Sequence, residues 1–297
     1  MQYRCKKIRI KKFLVVAIFS LLLISGAAAE WYNSDWNYRK EITFNQSQIN
    51  GTHEDFPTLI NISDSDLKEK AQNDGDDILF TSSNGSYKLD HEIELYNNST
   101  GKLTAHVKVL NMTNQTETSI YMYYGNSEAS NQENASDVWA NNYTGVWHLK
   151  ENQSGTGDKG VYRDSAGNND ADDGISATGK KGWIGRGQEF DGQDDEIEAG
   201  FSDNSPLDLE GEPDFTLQAW VRVKSINGNW KTFLNMGQGT SAGLMLRKST
   251  SNNFATYDSS NQHNSDLKYD TGKWYHFVYT RENGNHIIYV NGSNILE

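Results

Sequence analysis

The chain has 297 residues and a formal charge of −13, with 40 acidic side chains against 27 basic ones. That excess repels nucleic-acid phosphates and anionic lipid headgroups, so a nucleic-acid partner is not expected. Cys5 is the only cysteine, which excludes a disulfide framework and leaves stability to buried apolar surface.

Six cations (Arg4, Lys6, Lys7, Arg9, Lys11 and Lys12) precede an apolar run over 13–24, and Ala27, Ala28 and Ala29 follow it. This layout predicts a signal peptide over 1–29, cleaved after Ala29. The alternative is an uncleaved anchor, since 13–29 approaches the roughly 17 residues that can just span a bilayer. Membrane contact is expected only in that case, and an extracellular or cell-surface location in either. Removing the leader takes away six cations and no acid, so the charge goes from −13 to −19. Asn-x-Ser/Thr sequons crowd the stretch from Asn45 to Asn152 and recur at Asn291, which suggests a sugar-coated surface wherever a glycosylating export pathway exists.

Two-residue alternation recurs along the chain and no long stretch carries a helical period, so strands dominate. In 103–109, Leu103, Ala105, Val107 and Val109 share one face and Thr104, His106 and Lys108 the other, which predicts one buried face and one wet one. Further strands are predicted over 39–44, 56–62, 77–81, 91–96 and 119–124. One short helix is expected within 63–72, capped by Ser63 or Asp64. The polar stretch 126–142 reads as a linker between a β-sandwich over 30–125 and a second block over 143–297. In that block strands are predicted over 145–149, 187–191, 196–199, 215–223, 231–236, 243–247, 254–257, 274–280 and 286–290, divided by Gly, Asn and Asp clusters as in a sandwich. The expected class is all-β, with two consecutive β-sandwich domains.

The second block carries, in order, Val146-Trp147-His148-Leu149, Asp164-Ser165-Ala166-Gly167-Asn168-Asn169 and Phe190-Asp191-Gly192-Gln193-Asp194-Asp195. These are followed by Phe215-Thr216-Leu217-Gln218-Ala219-Trp220-Val221, Lys273-Trp274-Tyr275-His276-Phe277-Val278 and Ile288-Tyr289-Val290-Asn291-Gly292. The ordered set resembles a laminin G-like, concanavalin A-type jelly roll. The strands would end in Asn-Gly or Asp-Gly turns, with Trp147, Trp220 and Trp274 as core or inter-sheet fillers. In that family further strands follow the Tyr-Val-Asn-Gly hairpin. The resemblance therefore implies that the last strands are missing: a fragment is the expected reading, beside completion by another chain or an unpaired edge. The first block resembles the domain of unknown function 2341 over about 31–140, through Trp31, Trp36-Asn37-Tyr38-Arg39-Lys40, Gly75-Asp76-Asp77-Ile78-Leu79-Phe80-Thr81 and Ile120-Tyr121-Met122-Tyr123-Tyr124-Gly125-Asn126. That resemblance implies an exported protein and no assigned activity.

No catalytic residue is expected. Gly239-Thr240-Ser241-Ala242-Gly243 has the letters of a nucleophile elbow but reads as a hairpin, without the strand-to-helix turn that exposes the serine. The run 174–181 nearly spells a phosphate loop, yet Lys181 stands where a hydroxyl would hold magnesium. Glu189, Asp191 and Asp194 invite comparison with glycosidases of the concanavalin A type, whose retaining mechanism needs two carboxyls about 5 Å apart. Here Asp194 falls past Gly192, in the turn. Calcium is the one cofactor weighed, through Asp164, Asp191, Asp194 and Asp195 in predicted loops, against a solvated acidic face. Trp183, Trp230 and Tyr257 lie near polar loops and are the candidates for stacking on sugars, against burial in the core. The seven histidines are scattered, with no spacing typical of zinc ligands or of a catalytic base. The expected role is an exported binding or adhesion protein recognising a glycan or a cell-surface protein. A carbohydrate-active enzyme or its accessory module is the alternative, and an envelope or surface-layer component the third reading.

Overall fold

The computed structural model describes residues 31–152, 157–176, 179–199, 207, 214–225, 231–236, 244–248, 253–258, 261–283 and 285–296. The expected leader, Trp230, Ser241 and the side chain of Tyr257 lie outside the described residues. Among the described residues no helix is long and apolar enough to cross a membrane.

The first part runs through β1 (Tyr38–Phe44), β2 (Thr52–Ser63), α1 (Ser65–Lys70), β3 (Leu79–Ser82), β4 (Lys88–Leu89), β5 (His91–Asn97), β6 (Lys102–Thr113) and β7 (Thr118–Tyr124). Two antiparallel sheets, ordered β1-β7-β3-β4 and β2-β6-β5, face each other. Leu103, Ala105, Val107 and Val109 of β6 enter the core between them with Ile60, Phe80 and Met122, as their alternation predicts. Helix α1 forms where expected, with the Asp64 carboxylate accepting from Asp66 N at 2.8 Å. The residues quoted for the first resemblance converge on one buried side chain. Asp77 accepts from Gln72 N, Gly125 N and Asn126 N, and its own carbonyl takes the Trp36 indole N–H at 2.6 Å.

The other face of β6 departs from expectation. The pattern predicts it wet, but Thr104 and His106 are buried, because the chain after β7 folds back across it. Helix α2 (Ala135–Val138) packs against β5 and β6. It brings Val138 and Trp139 into buried positions, so the stretch 126–142, polar in composition, lies against the sandwich. His106 bonds to Glu94 of β5 and packs its ring on Trp139 and His148, while the later segment gives its own hydrogen bonds to Glu92 on the same face.

Beyond it come β8 (Ala171–Gly174), β9 (Lys180–Lys181), β10 (Arg186–Gly187), β11 (Glu196–Ala199), β12 (Phe215–Arg222), β13 (Lys231–Met236), β14 (Leu244–Lys248), β15 (Asn253–Asp258), β16 (Asn261–Lys268), β17 (Trp274–Glu282), β18 (Asn285–Val290) and β19 (Ser293–Leu296). The sheets β12-β17-β18-β19 and β13-β14-β15-β16 form the second sandwich. Its core holds Phe254, Phe277, Tyr279, Ile288 and Val290, with Phe215, Leu217 and Val221 of β12 turned toward it. Three readings differ from the sequence. Residues 145–149 form no strand beyond the bridge Trp147↔Asp164, 187–191 contribute only the end of β10, and the polar β16 has no apolar alternation to announce it. Trp220, expected as a core or inter-sheet filler, points outward from β12 and is 37 % exposed, because its strand buries the alternate set Phe215, Leu217 and Val221.

Candidate functional site

The outward face of β12 and β17 carries aromatic rings in a row. Trp220 and His276 are register partners across the antiparallel ladder, and their rings stack at 4.9 Å with planes 26° apart. Trp183 continues the row, stacked on Trp220 at 5.1 Å and 24°. It gets there on the short hairpin β9–β10, where Gly182 N donates to Gly185 O at 3.2 Å and the tip carries the indole over the second sandwich. Gly185 adopts φ +49°, a left-handed conformation that glycine takes without a Cβ penalty. Trp183 ends the row 57 % exposed, so its outer ring face is open to solvent.

Beside the row lies a cleft of about 400 Å³ lined by Lys180, Lys181, Trp183, Glu189, Arg222 and Trp274. The Arg222 guanidinium sits 5.1 Å over the Trp274 ring. Glu189 pairs with Lys224, and that contact holds its carboxyl below the usual carboxylate range. Glu189 is therefore ionised at neutral pH, which fits an ion-pair partner and excludes only the role of a protonated acid. Burial lowers the pKa of His276, so its ring stays uncharged at neutral pH, bonded through Nε2 to Gln218 Oε1 at 3.1 Å. Flat apolar faces flanked by charged and amide groups suit a ligand with both apolar C–H faces and hydroxyls, as pyranose rings have.

Of the residues singled out from sequence, Trp183 and Glu189 meet at this cleft. Tyr257 belongs to β15, and Trp230 and Ser241 lie outside the described residues. Lys180 and Lys181 form β9, so the near phosphate loop leads into a hairpin and not a helix. Asp191, Asp194 and Asp195 gather, each offering a carboxylate oxygen within 4.8 Å of the others. Asp195 is partly engaged, accepting from Ser176 N and Asp191 N at 2.7 Å. Desolvation opposes its ionisation, but those bonds outweigh it and the carboxyl titrates below its ordinary range. Asp164 stands apart from that group. It is buried, and its two oxygens accept from Val146 N, Ala166 N, Asn169 N and Asn169 Nδ2 between 2.8 and 3.2 Å, which makes it the organiser of its own turn.

A second constellation had no signal in residue spacing. Glu92 and Glu94 of β5, His106 of β6 and His148 beyond α2 meet on the covered face of the three-stranded sheet. Glu92 accepts from the indole of Trp139 and from His148 Nε2, each at 2.9 Å, and from Ser165 Oγ at 2.7 Å. Burial alone would raise its pKa. The bonds from His148, Trp139 and Ser165 reverse the sign, so the carboxyl titrates well below its normal range. His106 stacks on His148 at 4.9 Å.

Residues 190–296 match the concanavalin A-like lectin/glucanases superfamily. Residues 74–157 match the domain of unknown function DUF2341, so the two segments follow each other in the order that the motifs implied. The DUF2341 match runs through 126–142 and includes both α2 and His148, while the concanavalin A-like match takes in Trp220, Arg222, Trp274 and His276. No curated protein and no solved structure matches the chain. The concanavalin A-like segment supports a carbohydrate-binding or related role.

Proposed function

We propose that the chain is an exported, surface-exposed glycan-binding protein that grips sugar rings on the outer face of Trp183 and holds their hydroxyls with the charged groups of the adjoining cleft. The observation that carries this reading is the row Trp183, Trp220 and His276, which ends in an indole 57 % exposed. Leaving a tryptophan that open forgoes about 25 cal/mol for each Å² of apolar surface not buried, which favours a role in contact with a partner. Recognition without cleavage is favoured because, among the described residues, Glu189 is the one carboxylate lining the cleft, whereas hydrolysis needs two. Export and surface display rest on the leader-like residues 1–29 and the density of sequons.

The test is a glycan array probed with the chain lacking residues 1–29, beside the same chain carrying Trp183→Ala. Binding of a polysaccharide class by the first and its loss in the second supports the proposal. Equal binding by both, or release of new reducing ends from a bound glycan, overturns it. Fractionation of the source cells tests display: recovery in the cytoplasm contradicts it.

A further inference from the structure

We propose that Glu94, His106 and His148 form a binding site for a divalent transition metal, with zinc as the best-fitting ion and Glu92 as the carboxylate that orients His148. Their ligand atoms all lie within 4.8 Å of one another. Glu94 Oε2 is 3.1 Å from His106 Nε2 and 3.7 Å from His148 Nδ1. A four-coordinate zinc with bonds of about 2.0–2.1 Å sets its ligands roughly 3.3 Å apart. The two Glu94 separations bracket that spacing, and the two imidazole nitrogens lie within 4.8 Å of each other.

Three independent features point the same way. The first is the other nitrogen of His148. With Nδ1 facing Glu94, Nε2 lies 2.9 Å from Glu92 Oε2, and Glu92 is itself fixed by Trp139 Nε1 and Ser165 Oγ. A ligating imidazole characteristically gives its remaining N–H to a carboxylate in this manner, which sets the tautomer and the ring plane. The second is burial. The side chain of Glu94 is 2 % exposed and those of His106 and His148 10 %, so water cannot serve these groups as it serves a surface cluster. The third is the strand itself: the β5–β6 register slips between Ile93 and Leu95, so Glu94 is the bulged residue and its carboxylate is re-aimed toward His106. Two imidazoles and one carboxylate suit zinc or iron(II), whereas calcium asks for six to eight oxygens.

The site would brace the joint beneath the aromatic row, since Gly185 of the Trp183 hairpin packs directly on Glu94. It does not depend on what the aromatic row binds.

Metal-stripped protein is titrated with zinc chloride against a chromophoric chelator at neutral pH. The expected result is one zinc per chain, a higher thermal midpoint when zinc is present, and no displacement by millimolar calcium. His148→Ala and Glu94→Gln should abolish stoichiometric binding, while Glu92→Gln should weaken it by about 10–100-fold. Asp194→Asn, in the separate acidic group, should leave it unchanged. Should the variants fail to fold, cobalt decides with the unaltered chain: visible bands of a four-coordinate ion with nitrogen and oxygen ligands support the site. An unaltered chain that takes up neither ion, zinc retained by His148→Ala, or zinc lost only on changing Asp194 overturns the proposal.

Discussion

Gly185 lies directly on the Glu94 carboxylate, at φ +49° and with no room for a Cβ beside Oε1. One residue thus joins the hairpin that displays Trp183 to the buried cluster on β5. Gly185→Ala brings both a strained backbone and a collision with a buried carboxylate. It should cost about 1–3 kcal/mol of stability. Because the Glu94 carboxylate is held by His106, the hairpin is the part expected to move, and glycan binding should weaken as well. Urea unfolding read together with glycan affinity checks this, and an alanine variant with wild-type values in both would refute the link.

His91 offers a pH test. It is fully buried in the first sandwich with its ring 5.2 Å from Phe80, and burial, helped by the nearby Lys88 charge, lowers its pKa from 6.5 to about 4. The unfolded chain takes up a proton near pH 6.5 and the folded chain resists until about pH 4, so the unfolded state binds more protons across that window. Stability is therefore unaffected above it and falls as pH drops through it, by about 3 kcal/mol in full. Glu92, with its lowered pKa, adds a loss only below the ordinary carboxylate range. Denaturant midpoints from pH 7 to 4.5 should fall in the parent and stay flatter in His91→Leu. Parallel curves would show that another group dominates.

The sandwich cores could be read from alternation because a two-residue period fixes which side chains share a face, as in Leu103, Ala105, Val107 and Val109. What alternation cannot say is whether the second face is covered. Thr104 and His106 look solvated in sequence and are buried only because α2 and His148 arrive from elsewhere in the chain. Trp220 shows the converse: its place in the motif suggested a core or inter-sheet filler, while the strand phase set by Phe215, Leu217 and Val221 turns it outward. The histidine cluster was illegible for the same reason, since its spacing in space comes from a strand pairing and a chain reversal. The exposure of Trp183 was legible because Gly and Lys surround it, with Ile184 as its one apolar neighbour in sequence.

Asp164 was weighed as a calcium ligand, and its geometry yields a different expectation. Four donors already occupy its carboxylate in a buried turn. Asp164→Ala strands the amides of Val146, Ala166 and Asn169, at a cost of about 2–4 kcal/mol. The loss should be the same in calcium and in chelator, as measured by calorimetry. A penalty present only with calcium would return the residue to the metal reading.

The ring row predicts a specific coupling. Trp183 sits on the β9–β10 turn and Trp220 on β12, where it also stacks on His276, so a double-mutant cycle is needed to separate the indole–indole contact from that second stack. Trp183→Ala alone removes a half-exposed ring, and its effect on stability should be small, within about 1 kcal/mol. Trp220→Ala should cost more, because it also strips His276 of its stacking partner. If the hairpin is held over β12 by this stack, the two losses should fail to add by about 0.5–1.5 kcal/mol. Trp220→Ala should then weaken glycan binding nearly as much as Trp183→Ala does, although Trp220 is the less exposed ring, because Trp183 would no longer be held in place. Strict additivity, with binding indifferent to Trp220, would mean that Trp183 is positioned by the hairpin backbone alone.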